Sequence, residues 1–298
     1  MSETTLPSPS GAGAGTAPAA GARTVDRETW IAIGLAAPAL LVLVVLFALP
    51  LAKLLTASLA GPDGFTLAEY AKLTAPYYLG VIWNSLKLAG LTTVIALVIG
   101  YPAAFAIARA RGAVRSLLLA CLFLPLAASV IVKAFAWTIL LRSDGLVNMT
   151  LIALGLIDEP IRMIFTETAL VIGSVNIFLP FMILPLYTVV AQLDARLSDA
   201  AATLGASPLE AFLRVIVPLT LPGVIAGVAL VFSLSVSAYV VPTLLVGERY
   251  PTLSTTIAKA YLLARQPAFG AAAGVVLLCI AVIVVALSTR LARTEGRR

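Results

Sequence analysis

Apolar residues are gathered into six blocks along this chain, at about 31–52, 81–108, 115–141, 168–192, 222–242 and 270–290, with short polar stretches between them. Inside the blocks the apolar character runs around every helical face, as expected of a helix surrounded by lipid or protein. About 20 residues of α-helix cross a hydrocarbon layer of roughly 30 Å, so each block is long enough to span. Backbone N–H and C=O groups in lipid must be satisfied within the segment, which favours helices, and no alternating ten-residue pattern marks a β-barrel. The pattern predicts an all-α integral membrane protein with six transmembrane helices.

One stretch departs from it. Over 194–222 the chain turns amphipathic, with Leu193, Leu197, Ala201 and Leu204 at helical spacing and Asp194, Arg196 and Asp199 elsewhere, which predicts a short surface helix. Gly205 is placed to end that helix, because glycine enters the left-handed conformation without a steric penalty. A second helix is signalled at once by Ser207, Pro208 and Glu210: a hydroxyl cap, a proline at the first position and an acid three residues after the cap. It presents Leu209, Phe212, Leu213 and Ile216, and Pro218 and Pro222 mark its passage into the fifth span.

Within the spans, polar residues and prolines single out a few positions. Pro38 and Pro50 bend or end the first helix, and Pro125 predicts a kink in the third. Asn176, Pro180 and Pro185 make the fourth the best candidate for a helix along a substrate pathway, since such groups are tolerated in lipid where neighbours or water satisfy them. Tyr187, Ser233, Ser235, Ser237 and Tyr239 are the other pathway candidates, the tyrosines offering ring faces to ammonium groups. Lys87 and Lys133 are expected to snorkel toward the interface, and Trp137 to anchor there. The sixth span, plain Ala, Val, Leu and Ile with Gly270 and Gly274, is expected to face lipid or pack peripherally. Residues 1–24, poor in large apolar side chains, read as a disordered tail, and 25–298 as one transmembrane domain. Ile31 to Leu51 is too long for a signal-peptide core and is expected to remain as an anchor.

Composition agrees with the pattern: 61% of residues are apolar and 11% charged, against about a quarter charged in soluble domains. The net charge of +6 comes from arginines flanking the spans and does not point to nucleic acid. Arg109, Arg111 and Arg115 crowd one short turn on the same side as both termini, which by the positive-inside rule is the cytoplasm. There is no histidine, and Cys121 and Cys279 lie inside apolar blocks, so no metal site or disulfide framework is expected. No lysine follows a glycine, which excludes a phosphate-binding loop of the Walker type in this chain.

The polar loop also carries a motif. Asp199-Ala200-Ala201, three residues, Gly205, and then Val215-Ile216-Val217-Pro218 resembles the Glu-Ala-Ala, Gly, Ile-x-Leu-Pro loop with which permease subunits of ATP-binding-cassette importers dock onto their ATPase. Leu124-Pro125, Lys133-Ala134-Phe135-Ala136-Trp137, Asp144-Gly145-Leu146-Val147-Asn148, the Leu179 to Tyr187 stretch, Ser235 to Pro242 and Phe269-Gly270-Ala271-Ala272 are similar to the spermidine/putrescine branch, specifically its first permease component. Related branches serving ferric ion, sulfate or opines share some of these stretches. The resemblance implies a type I importer permease fold, with the coupling loop at 194–218 between helices 4 and 5. It implies that Asp199, Ala200, Ala201, Gly205, Val215, Val217 and Pro218 couple to the ATPase, Asp199 pairing with a cation there although the family usually has Glu. Val215 and Val217 replace the usual Ile and Leu.

The partners implied are a second homologous permease, a cytoplasmic ATPase dimer that binds ATP and magnesium, a periplasmic substrate-binding protein and membrane lipid. The setting implied is the bacterial inner membrane, the chain itself having no catalytic residues and no cofactor. A self-contained secondary transporter or channel would want intramembrane acids or a filter, and an intramembrane enzyme a nucleophile or metal ligands within the spans; the chain offers neither set.

Overall fold

A computed structural model describes residues 27–295, apart from 62, 63 and 195. The 1–24 tail expected above lies outside the described residues. Among those residues the fold is helical except for one two-residue hairpin, β1 (Ala60–Gly61) paired antiparallel with β2 (Gly64–Phe65). The helices in chain order are α1 (Arg27–Ser58), α2 (Ala68–Leu73), α3 (Pro76–Arg109), α4 (Gly112–Ala127), α5 (Val130–Leu140), α6 (Leu146–Ala153) and α7 (Glu167–Val190). They continue as α8 (Arg196–Thr203), α9 (Pro208–Ala211), α10 (Val217–Val236), α11 (Val240–Leu245), α12 (Leu253–Leu262) and α13 (Pro267–Glu295). A π-helical turn, Phe212–Ile216, joins α9 to α10, and a 3₁₀ turn, Gly247–Arg249, follows α11. The chain divides into two units, one ending at Ala52 and the other running from Lys53 onward.

Among the described residues five helices are long and apolar enough to cross a membrane: Ala36–Ser58, Pro76–Arg109, Glu167–Val190, Pro208–Val236 and Pro267–Arg290. The sixth expected span, 115–141, is not one rod. Gly112–Ala127 and Val130–Leu140 meet at a bend of 100°. Pro125 removes one backbone donor in the last turn of α4, and Ala128 and Ser129 then leave helical geometry, with Ala128 extended at ψ 137°. Ser129 Oγ accepts from Ile131 N at 3.3 Å to start α5, and Lys133 Nζ donates to Pro125 O at 2.9 Å. Lys133 thus returns to a carbonyl at the break rather than reaching only for the interface. Its charge is met where the helix lost its own hydrogen bonding.

Helix α7 is the centre of the second unit, packed against both α3 and α10. Met182, Leu186, Leu170 and Ile177 on it are fully buried, together with Leu88 of α3 and Val231 of α10. Close approach is allowed by glycine. A Cβ at Gly227 would lie 2.7 Å from Met182 Sδ, and one at Gly223 would lie 3.0 Å from Pro185 O, so larger residues there would force α10 off α7. The 222–242 block is also broken, since α10 stops at Val236 and α11 starts at Val240. The last helix is only partly peripheral: Phe269, Ala272 and Ala273 are buried in a second cluster with Leu73, Val81, Leu253 and Ala260, whereas Val282 and Ile283 further along are exposed.

Candidate functional site: the loop between α7 and α10

The 194–218 loop folds as two short helices with a sharp turn, and each boundary has a local cause. Asp194 Oδ1 accepts the backbone N–H of Arg196 at 2.9 Å as α8 begins. At the far end Ala206 N donates to Ala201 O at 3.1 Å and Gly205 N to Ala202 O at 3.0 Å, the paired bonds of a Schellman closure. That closure needs a left-handed residue, and Gly205 has φ +87°. Ser207 and Glu210 then form a full capping box: Ser207 Oγ accepts from Glu210 N at 3.3 Å, while Glu210 Oε2 accepts from Ser207 N at 3.0 Å. With Pro208 at the first helical position, α9 is started without outside help.

Beyond α9 the helix widens to a π turn over Phe212–Ile216, where Val217 N donates to Phe212 O. Pro218 has no N–H for the carbonyl four residues back, so the wider repeat ahead of it is locally tolerated. The turn directs Phe212 toward α3. Its ring meets Tyr101 edge-on at 6.0 Å and Phe105 at 6.4 Å, and Tyr101 hydroxyl shares a 2.8 Å hydrogen bond with Thr220 Oγ1 on α10. A chain of rings and one hydroxyl pair thereby fastens the loop to two long helices. Tyr101 and Phe105 went unremarked in the sequence. Their spacing of four on α3 puts them on one face, but only the π turn reveals which ring meets them.

The loop has two sides. Leu204, Leu209 and Leu213 are exposed, Leu204 to 89% of its area. Asp199, Asp194 and Ile216 instead line a cleft of about 680 Å³ together with Arg109, Arg111 and Arg115 from the α3–α4 turn. Asp199 is exposed and in no ion pair among the described residues. Ala200 and Gly205 are exposed and Ala201 is half-buried. Val215 and Val217 are half-buried beside buried Ile216, so these positions serve the join to α10 and not the exposed side.

The pathway candidates do not gather in one place. Asn176 Oδ1 accepts from Trp137 Nε1 at 3.2 Å, which ties α5 to α7 and makes Trp137 an internal strut. Ser237 and Tyr239 are exposed at the α10–α11 break, and Ser237 Oγ donates back to Ser233 O at 2.8 Å. Ser235 is buried against the helix packing, and the hydroxyls of Ser233 and Ser235 have no hydrogen-bond partner among the described residues. Tyr187 stands at the opposite end of α7, its hydroxyl accepting from Arg115 and its ring 5.9 Å beneath that guanidinium.

The stretch of chain that holds this loop matches a known family. Residues 96–295 match the family described as "Binding-protein-dependent transport system inner membrane component". The chain belongs to this family. It is 37% identical over 233 residues to the spermidine/putrescine transport system permease protein PotB of Haemophilus influenzae, covering 78% of this chain and 82% of that one. To PotB of Escherichia coli strain K12 it is 38% identical over 234 residues, 78% of this chain and 85% of the relative. The molybdenum transport system permease protein ModB of Azotobacter vinelandii is 34% identical over 180 residues, 60% of this chain and 77% of the relative. The fold matches that in a crystal structure of a bacterial ABC transporter importing the acidic polysaccharide alginate, with a TM-score of 0.75 at 17% identity, over 90% of this chain and 96% of that one. The protein is therefore a multi-pass inner-membrane permease subunit of a binding-protein-dependent ABC importer, and it is not itself catalytic.

Proposed function

We propose that this permease pairs with a second, homologous permease and a cytoplasmic ATPase dimer, and passes polyamines, spermidine or putrescine, inward from a periplasmic binding protein. The observation that carries the proposal is the 194–218 loop: a self-capped helix pair with exposed Leu204, Leu209 and Leu213, fastened through Phe212 to α3 and α10. An ATPase cleft that closes on such an element can pull on two spans at once. A ligand or partner shifts a conformational equilibrium only by its differential contact with the two states, and this loop supplies that contact. Asp199, Ala200, Ala201 and Gly205 form the docking segment, while Val215, Val217 and Pro218 transmit its movement to α10. Both termini and the loop are cytoplasmic in this arrangement, as the arginines of the α3–α4 turn favour.

Polyamine is supported by identity to the two PotB proteins. Asn176, Ser233, Ser235, Ser237, Tyr187 and Tyr239 are offered as pathway residues, Asn176, Ser237 and Tyr239 being the exposed ones. They are neutral dipoles and ring faces, suited to passing a cation without holding it. Recognition then rests with the binding protein.

The test is uptake of labelled spermidine and putrescine into proteoliposomes holding this chain, its partner permease and ATPase, with binding protein outside and ATP inside. ATP-dependent uptake of either polyamine is expected. Binding-protein-stimulated ATP hydrolysis without polyamine uptake would overturn the substrate while keeping the coupling. Uptake independent of ATP would overturn the coupling itself and restore a self-contained secondary transporter or channel.

A further inference from the structure

The cleft behind the docking loop holds chemistry that docking does not use. Arg109 ends α3, Arg111 precedes α4 and Arg115 lies in the first turn of α4; all three are exposed, line the same 680 Å³ space, and form no ion pair among the described residues. Two are held by rings instead of by acids. The Arg109 guanidinium stands 5.7 Å over Phe105, and that of Arg115 stands over Tyr187 while giving one N–H to its hydroxyl. Ring stacking restrains a guanidinium and leaves most of its five in-plane donors available. Arg111 has no partner among the described residues. Asp194 and Asp199 share the lining, yet neither closes on an arginine, so three cations face two acids across an open gap.

The position of the cleft narrows the ligand. It lies at the junction of two helix ends, α3 finishing at Arg109 and α4 starting at Gly112, which is where membrane spans enter the headgroup layer. Forked arginine donors match phosphate oxygens in pairs, and a cleft of a few hundred Å³ suits a small headgroup.

We propose that this cleft is a phosphate-ester site, in which Arg109, Arg111 and Arg115 take the oxyanion of an anionic phospholipid headgroup or of a soluble phosphate monoester. The proposal rests on the chain being a membrane permease, but on neither its substrate nor its orientation. Asp199 is the competitor for the same guanidiniums. Asp199 stands on the cleft wall without an ion pair among the described residues, and a phosphate held by the guanidiniums repels its carboxylate. Headgroup binding would in this way set the position of the docking segment.

Native mass spectrometry of the full chain, exchanged into equal amounts of phosphatidylglycerol and phosphatidylcholine, tests it. The wild type is expected to retain phosphatidylglycerol preferentially, with the preference falling about fivefold for each arginine changed to Gln and vanishing in Arg109→Gln/Arg111→Gln/Arg115→Gln. The triple Arg→Lys variant is expected to keep part of it, and Asp199→Asn to raise it. Displacement of the lipid by millimolar glycerol 3-phosphate would assign a soluble phosphate monoester as the ligand, and no displacement would assign the headgroup. An unchanged lipid ratio in the triple Gln variant, eluting as a single peak on gel filtration, would overturn the site. Should that variant fail to fold, Arg111→Gln decides alone, because Arg111 supports no other contact, and an unchanged ratio there would overturn it equally. Uptake measurements do not enter, so failure of this site is separate from failure of the polyamine reading.

Discussion

The two ends of the α3–α7–α10 core are held by different forces. At the end bearing Glu167, distant segments are stitched by polar bonds. Lys87 Nζ is 2.7 Å from Glu167 Oε1 and donates to Oε2 at 2.9 Å, Leu253 N donates to Ser85 Oγ at 2.7 Å, and Asn84 Nδ2 donates to Pro251 O at 3.2 Å. Asn148, fully buried, makes three bonds of 2.9 Å that bind the α5–α6 turn to Ile161. At the end bearing the 194–218 loop, ring contacts dominate, and Asp199 and three arginines have no ion pair among the described residues. Directional hydrogen bonds fix one geometry, whereas ring contacts keep their attraction over a range of angles. On the proposed function, the polar end serves as a fixed frame and the loop end as the part that moves.

The strongest way to break the contrast is at Gly205. With φ at +87° the position disfavours any side chain although space is open there, and Gly205→Arg both strains the Schellman closure and plants a cation beside exposed Leu204. Uptake is expected to fall to background while membrane insertion and basal ATP hydrolysis persist, as does deletion of 199–205. Reconstituted uptake and hydrolysis measured side by side check it, and retained uptake would remove the loop from the coupling path.

A change at the opposite end should hurt in another currency. Asn148→Leu removes the three part-buried bonds to the carbonyls of Arg142 and Ile161 and from the N–H of Ile161, for a loss on the order of 3 kcal/mol. Yield and thermal stability are expected to drop, while the ATP hydrolysed per solute imported stays unchanged in the surviving protein. A changed ratio would show that the frame also takes part in coupling.

Phe212→Ala comes next in size. It deletes two ring contacts, each worth about 0.5–1.5 kcal/mol beyond burial, and should loosen the loop from Tyr101 and Phe105. Uptake is expected to fall by roughly tenfold with ATP hydrolysis less sensitive to binding protein, and Phe212→Leu to recover little, since bulk alone does not restore the edge-to-face geometry. Full activity in Phe212→Ala would mean that the backbone continuity of α9 into α10 transmits the pull unaided.

The legible parts of the molecule were those with local causes. The Gly205 turn and the Ser207–Glu210 box are written in adjacent residues, and both are found with the expected geometry. The six blocks were legible because hydrophobicity in lipid is a bulk property. Interruptions inside the blocks were less so. Pro125 foretold a kink, but the 100° bend depends on Ser129 and Lys133 supplying replacement bonds. Pairings across the fold were illegible: Trp137 with Asn176, Lys87 with Glu167 and Phe212 with Tyr101 join residues 39 to 111 apart, and nothing local to any of them names its partner. Asp199 shows the same limit. Its motif sets its identity, but its place on the cleft wall follows from the turn of α8 against the arginines of another loop.

The smallest expected effect concerns the ion pair of the frame. Lys87 and Glu167 keep 42% and 33% of their side-chain area exposed, so water screens much of their attraction, and Lys87→Gln should cost below about 1 kcal/mol. Glu167 has a second consequence through Tyr250, whose hydroxyl donates to Asn84 O at 3.4 Å. Burial, and then the Glu167 charge, push the Tyr250 hydroxyl up to about 12 from an ordinary value of 10.0. Because the folded value lies above the unfolded one, the stability tied to this proton is fully present below pH 10 and is lost as pH rises toward 12. Thermal melts of wild type and Tyr250→Phe are therefore expected to stay parallel up to pH 10 and to converge above it. Glu167→Gln should bring the onset of tyrosinate formation at Tyr250 lower without returning it to 10, since burial is the larger cause. Parallel melts throughout the alkaline range would show that Tyr250 is not buried in the frame, and would weaken the view of that end as the fixed half of the machine.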